Sequence, residues 1–214
     1  MKILFFGDSI TDAARAREKT YVPALSLGCG YVQQVAGRLI ERSPLEYEFV
    51  NTGIAGNRIV DLYARVQTDL WSHKPDLVSI LVGINDVWQE TERTYGVEPA
   101  RFERVYRMLI EETMQKLPEA KILLCEPFML KTGVIVKEWN AFCSTHLYAE
   151  IVARLAKEYG LYFLPLQEKI NEAADKYGKE TILFDGVHPA PAGAVLIARE
   201  WLKLFEKIEE DMKQ

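Results

Sequence analysis

MKILFFGDSIT, residues 1–11, is a short apolar run broken off by Gly7, Asp8 and Ser9. A run of this length, rich in aromatic and branched side chains and without polar alternation, reads as a β-strand covered on both faces. The same interruption stops it before the apolar core of a secretion signal is complete, so it is read as a first strand and the protein as cytoplasmic. Four further runs share its character: Tyr47 to Asn51, Asp76 to Val82, Lys121 to Glu126 and Leu161 to Leu164. Between them, Phe102, Val105, Leu109, Thr113 and Leu117 keep helical spacing, as do Val195, Ala198, Leu202 and Phe205. Strands alternating with helices predict a parallel sheet with helices on both sides.

The 214 residues are 49% hydrophobic and 27% charged, the balance of a chain that buries a full core. No internal repeat, low-complexity tract or Pro/Ser-rich linker divides them, so one domain over 1–214 is expected. The predicted fold class is α/β: three layers, α/β/α, around a five-stranded parallel sheet in the flavodoxin-like order 2-1-3-4-5. Pro189 and Pro191 suit the start of a last helix, Gly160 suits the cap of a helix over 139–159, and the tail KIEEDMKQ reads as a solvated helix end.

Several classes of function fall away on composition. A net charge of -5 with a pI of about 5.4 and no block of Lys or Arg lacks the attraction to phosphate that nucleic-acid binding needs. No stretch approaches the roughly 18 apolar residues of a membrane span. Cys29, Cys125 and Cys143 are an odd number without a C-x-x-C pair or zinc-spaced histidines. Reduced thiols, no metal and no cofactor are expected. Nothing in the sequence excludes a homo-oligomer.

In open parallel sheets ligands bind beyond the carboxyl ends of the strands. The first three strands are followed there by Gly7-Asp8-Ser9-Ile10-Thr11, by Asn51-Thr52-Gly53-Ile54-Ala55-Gly56-Asn57 and by Gly83-Ile84-Asn85-Asp86. A fourth block, Asp185-Gly186-Val187-His188-Pro189, lies after the fifth strand and before the last helix. A carboxylate three residues ahead of a histidine, on a turn stiffened by proline, can face the loop of Ser9. Nucleophilic catalysis asks for that set: a hydroxyl, a base within reach and a third group that fixes the base's tautomer. Of the three histidines, His73 and His146 fall at a helix end and within a helix, which leaves His188 as the base.

The blocks GDSIT, NTGIAG, GIND and DGVHP together resemble the four signature blocks of the SGNH (GDSL) hydrolases, in that family's order and over almost the whole chain. The resemblance implies Ser9 as nucleophile, His188 as base and Asp185 as its partner. It also implies an oxyanion hole from the N–H of Ser9, the N–H of Gly56 and the side chain of Asn85, with Gly53 a turn residue. GDSITD followed by Arg15 and Arg17, KPDLVSILVGINDVW and DGVHPAPAG are similar more narrowly to intracellular acetyl-xylan (xylo-oligosaccharide) esterases. That similarity implies a small-molecule acetyl ester as substrate. Asp8, Trp88 and Arg58 are candidate substrate contacts, and Arg15 and Arg17 stand near the mouth.

Plainer readings exist for each. Ser9 is a good helix N-cap, Asn85 and Asp86 are turn formers after a strand, and a tryptophan such as Trp88 is more often core than platform. A lysophospholipase or thioesterase on longer acyl chains shares the chemistry. A flavodoxin-like binding module shares the sheet, but G-x-G-x-x-G and G-x-x-x-x-G-K-[ST] are both absent, and Asp8 and Asp12 would repel a phosphate.

Overall fold

The computed structural model describes residues 1–18 and 22–213, with the backbone alone over 90–93. Five strands, β1 (Lys2–Gly7), β2 (Glu48–Asn51), β3 (Leu77–Leu81), β4 (Lys121–Cys125) and β5 (Tyr162–Leu164), form one parallel sheet ordered β2-β1-β3-β4-β5. Each lies inside, or one residue beyond, the run that predicted it. Eleven helices are described: α1 (Ser9–Asp12), α2 (Tyr31–Arg42), α3 (Ile59–Ala64), α4 (Val66–Asp69), α5 (Ile84–Arg93), α6 (Pro99–Lys116), α7 (Trp139–Phe142), α8 (Thr145–Glu158), α9 (Gln167–Tyr177), α10 (Lys179–Ile182) and α11 (Pro191–Lys213).

Successive strand residues point to opposite faces, and β1 shows what each face meets. Phe5 turns toward Tyr31 of α2 and Trp201 of α11, with ring centroids 5.8 and 5.4 Å away. Phe6 turns the other way, under the Arg65 guanidinium at 4.5 Å. Helices α2 and α11 pack together, as do α3 with α6 and α6 with α8. The sheet is therefore sandwiched, and Ile3 to Phe6 are fully buried. One polar pair crosses this core, Trp201 Nε1 donating to Ser79 Oγ at 3.0 Å.

Four local expectations are corrected. The helix predicted over 139–159 is two, α7 and α8. At the break, the Ser144 and Thr145 hydroxyls each donate at 2.7 Å to backbone carbonyls, Ala141 and Phe142, and so compete with helical bonding. In α11 the buried stripe runs through Ala194, Ala198, Trp201, Phe205 and Ile208, while Val195 is 53% exposed. Asn85 and Asp86 are not in a turn but in the first turn of α5. The tail is less solvated than expected: Ile208 is buried and Glu209 is held by Arg42 and Tyr47, while Lys207 and Glu210 are exposed and Gln214 lies outside the described residues.

The chain steps from β1 to β2 on one side and then to β3 on the other, so strand order reverses at β1. The loops after β1, β2 and β3 therefore diverge around one crevice, where such sheets bind ligands.

Candidate active site

The loop after β1 bends straight into α1, whose N-cap is Asp8 rather than Ser9: Asp8 Oδ1 accepts the Ile10 N–H at 3.0 Å. The Ser9 hydroxyl is thereby free of capping and pairs with His188 Nε2 at 2.8 Å. Helix α1 stops after one turn, with Ala13 and Ala14 at φ of 43° and 58°. Non-glycine residues adopt this left-handed region at a cost, and such strain gathers at functional sites.

The second loop is tied to the first by side chains that the sequence supplies. Asn51 Nδ2 donates to the carbonyls of Thr11 and Leu27 at 2.7 and 2.9 Å, and its Oδ1 accepts the Gly53 N–H at 2.9 Å. Asp12 Oδ2 accepts the Ala55 N–H at 3.0 Å and pairs with Arg17 at 2.8 Å. Arg65 donates to the carbonyls of Gly7 and Thr52, bracing the ends of β1 and β2. Gly53 is more than a turn residue: a Cβ there would meet the Asp12 amide nitrogen at 2.3 Å. Gly56 has a φ of +82°, which favours glycine. Among the described residues, nothing accepts the N–H of Gly56 or of Ser9. From the third loop, Asn85 Nδ2 donates to Asn57 O at 3.1 Å, leaving its second amide hydrogen.

The fourth loop carries the base. Asp185 Oδ2 accepts from His188 Nδ1 at 2.6 Å, and its Oδ1 accepts the backbone N–H of Val187 and His188 at 2.9 and 2.7 Å. This fixes the imidazole with Nε2 toward Ser9. The bond to Asp185 outweighs burial and raises the His188 pKa above its ordinary 6.5. Burial opposes ionisation of Asp185, yet its hydrogen bonds from His188 and Val187 hold it below the usual carboxylate value. The loop is clamped from behind by residues 130–134. Leu130 N donates to Gly186 O at 2.8 Å, Val134 N to Asp185 O at 3.1 Å, and a Cβ at Gly133 would lie 2.5 Å from the Asp185 backbone.

Two further carboxyls lie beneath the crevice. Asp8 is completely buried, its Oδ2 has no hydrogen-bond partner among the described residues, and burial pushes its pKa up to about 7 against the pull of Ile10 N–H and His188. Asp86 is buried likewise, accepts the Ile59 N–H, and is raised well above the carboxylate range by burial.

The predicted substrate contacts are redistributed. Asp8 is sealed from solvent. Arg58 is held by Asp61 at 2.9 Å and packs over Tyr95, away from Ser9. Trp88, half-buried, lies beside Phe142 and the His188 ring, at 5.5 and 5.9 Å, and is not among the residues that line the cavity beside Ser9. Arg15 and Arg17 do line a cavity of about 560 Å³ that opens beside Ser9 and His188. Its opposite wall is Phe184, 57% exposed and stacked on the His188 ring at 5.8 Å and 21°. Sequence reasoning passed over Phe184 because ILFDG reads as one more apolar run. It passed over Gly133 because nothing local announces a distant loop. His73 lies where its carbonyl accepts from Lys2, at the far end of β1, and His146 bonds the Cys143 carbonyl. A groove of about 460 Å³ between α2 and α11 holds none of the strand-end residues. Among the described residues there is no cluster of three or more metal-binding side chains, and no helix is long and apolar enough to cross a membrane.

The model of the GDSL-like Lipase/Acylhydrolase family matches residues 5–196. An acetylxylan esterase of Geobacillus stearothermophilus is 36% identical over 209 residues, 94% of this chain and 92% of that one. The crystal structure of Axe2, an acetylxylan esterase of that organism, superposes with a TM-score of 0.82 at 35% identity, covering 95% of this chain and 93% of the other. Catalytic mutants of Axe2 at a serine, an aspartate and a histidine align equally well, with TM-scores of 0.82 to 0.83. A protein from Parabacteroides merdae described as a GDSL-like lipase superposes with a TM-score of 0.90 at 33% identity, covering 95% and 94% of the two chains. With 192 of its 214 residues matched and its strand-end loops converging on one crevice, this chain belongs to the GDSL-like lipase/acylhydrolase family and is a carboxylic ester hydrolase.

Proposed function

We propose that the chain is a serine esterase that removes short acyl groups, acetyl above all, from acetylated xylo-oligosaccharides or related sugars. The observation that carries the mechanism is the unbroken hydrogen-bonded line from Ser9 Oγ through His188 to Asp185, beside two backbone N–H groups with no acceptor among the described residues. Ser9 Oγ attacks the ester carbonyl carbon as its proton passes to His188 Nε2. The carbonyl oxygen becomes an oxyanion, received by the N–H groups of Ser9 and Gly56 and the free amide hydrogen of Asn85. Donors preset in this way stabilise charge only as it develops. His188 then gives its proton to the departing alkoxide, and the alcohol leaves an acyl-Ser9. Water, deprotonated by the same nitrogen, attacks the acyl carbon, and collapse returns acetate and the serine hydroxyl.

The substrate class is supported by the 36% identity to an acetylxylan esterase and by the Arg17 and Phe184 walls of the cavity. An aromatic face and a guanidinium suit a sugar ring and its hydroxyls. A second reading has its own observation: Ile10, Ala13, Ala14 and Pro189 make the same cavity largely apolar, as a longer acyl chain would want. The deciding experiment runs p-nitrophenyl esters from acetate to eight carbons and beyond, alongside acetylated xylo-oligosaccharides. An optimum at acetate with release of acetate from the sugar is expected. An optimum at long chains would replace this reading with the lipase-like one.

A further inference from the structure

Where the loops after β1 and β2 run side by side, Arg15 lies among Arg17, Arg65, Asp12 and Asp69. Arg17 is paired with Asp12 at 2.8 Å, and Arg65 with Asp69 at 2.8 Å. Arg15 itself has no ion pair among the described residues. Its Nε donates to Gly53 O at 2.8 Å, and the four hydrogens on its terminal nitrogens meet no acceptor there. Asp12 is already spent: its Oδ1 accepts the backbone N–H of Arg15 at 3.2 Å, and its Oδ2 accepts from Ala55 N and Arg17. Burial draws the Arg15 pKa down, with Arg17 adding to the effect and Asp12 and Asp69 opposing it. A half-buried cation in excess of the acids around it invites an anion.

Arg15 is not sealed off, and together with Arg17 it lines the cavity beside Ser9 and His188. That cavity is the alcohol side of the site. His188, which returns its proton to the departing oxygen, lines it along with Phe184 and Pro189, whereas Gly56 and Asn85, on the oxyanion side, do not. We propose that Arg15 is a specificity residue for esters whose alcohol part carries a carboxylate, its two terminal nitrogens donating to the two carboxylate oxygens. The inference rests on the serine-esterase reading above and deepens its substrate class from neutral sugars to acidic ones, such as an acetylated oligosaccharide bearing a uronic acid. The planar fork of a guanidinium matches a carboxylate through two parallel hydrogen bonds. The carboxylate does not react, so the contact is made in the bound substrate and in the transition state alike. It acts on KM more than on kcat.

The test compares meta- and para-acetoxybenzoate with their methyl esters, which remove the charge from the alcohol part. In the parent and in Arg15→Gln the ratio of kcat/KM, acid over methyl ester, is read on one preparation, so the folded fraction cancels. The ratio is expected to fall about 5- to 50-fold in the variant for at least one isomer, the size of a charge-assisted hydrogen bond discounted for a half-exposed site. Salt reads the same contact on the parent itself. Raising the ionic strength from about 0.05 M to about 0.5 M should lower the ratio, whereas the overall charge of -5 acting alone would raise it. An unchanged ratio in Arg15→Gln for both isomers, or a parent ratio that salt leaves level or raises, overturns the assignment. A parent that cleaves neither the acids nor the methyl esters removes the serine-esterase reading on which it rests.

Discussion

Replacing Asn85 by alanine separates two things one side chain can do. It is 5% exposed, lies in the first turn of α5, and in the resting site spends one amide hydrogen on Asn57 O at 3.1 Å. If the remaining hydrogen meets the oxyanion, its loss raises the barrier by about 2.7–4 kcal/mol, or roughly 10²- to 10³-fold in kcat. KM should stay within about twofold, because the bond strengthens only as charge develops. The structural part is smaller. Losing the bond to Asn57 costs about 1–2 kcal/mol, which for a chain of this size is a Tm fall of about 2–8 °C. Steady-state kinetics on p-nitrophenyl acetate and a thermal melt on the same preparation read both. Parental kcat per folded molecule with a lowered Tm would make Asn85 a strut and refute the oxyanion assignment.

Ser9→Ala should fold and lose activity to background, since capping of α1 belongs to Asp8; activity within tenfold of the parent would remove Ser9 from the reaction. The base must be neutral to act, and the bond to Asp185 raises the His188 pKa above 6.5. Therefore kcat/KM should fall as pH drops through that raised value. Asp185→Asn should move the His188 titration, followed by NMR, to lower pH and cut kcat on the order of 10⁴-fold, and an unmoved titration would contradict the pairing. Asp8→Asn keeps the cap acceptor and removes the ionisation. The Asp8 pKa is raised in the folded state, so its relative stabilisation is full below 3.8 and lost as pH rises through about 7. At alkaline pH Asp8→Asn should therefore be the more stable protein, by at most about 4 kcal/mol, with the gap closing toward pH 4. A Tm difference independent of pH would refute the buried-acid account.

Much of the fold was legible because a buried parallel strand leaves a nearly continuous apolar run, clearest in β1, β3 and β4 and weakest in the edge strand β2, where Glu48 is exposed. The strand-end blocks were legible for a different reason: each could be a cap or a turn alone, but a serine, an Asp-x-x-His pair and an asparagine all fall beyond the strand ends of one sheet. Asp185 and His188 could be paired because three residues of turn bring their side chains together. What sequence could not carry was orientation at a distance. Trp88 and Phe184 are both aromatics near the base, and only the fold decides that the first packs edge-on against Phe142 while the second lines the cavity. Val195 fits the helical period of α11 as well as Ala194 does, and which is buried depends on where α2 lies. The split between α7 and α8 turns on two hydroxyls choosing nearby carbonyls.

The bond from Ser9 to His188 spans 179 positions, so His188 is synthesised long after the serine it serves. Strand β1, in the interior of the sheet, also waits for Trp201 to cover Phe5. A chain emerging from the ribosome thus holds its first strand without its final cover until the last helix is out, and pays for the central position of that strand in delay. His188 itself emerges only just ahead of that helix, whose start fixes its loop. The nascent chain is silent as an esterase, and truncation ahead of α11 should yield an aggregating fragment rather than a weaker enzyme.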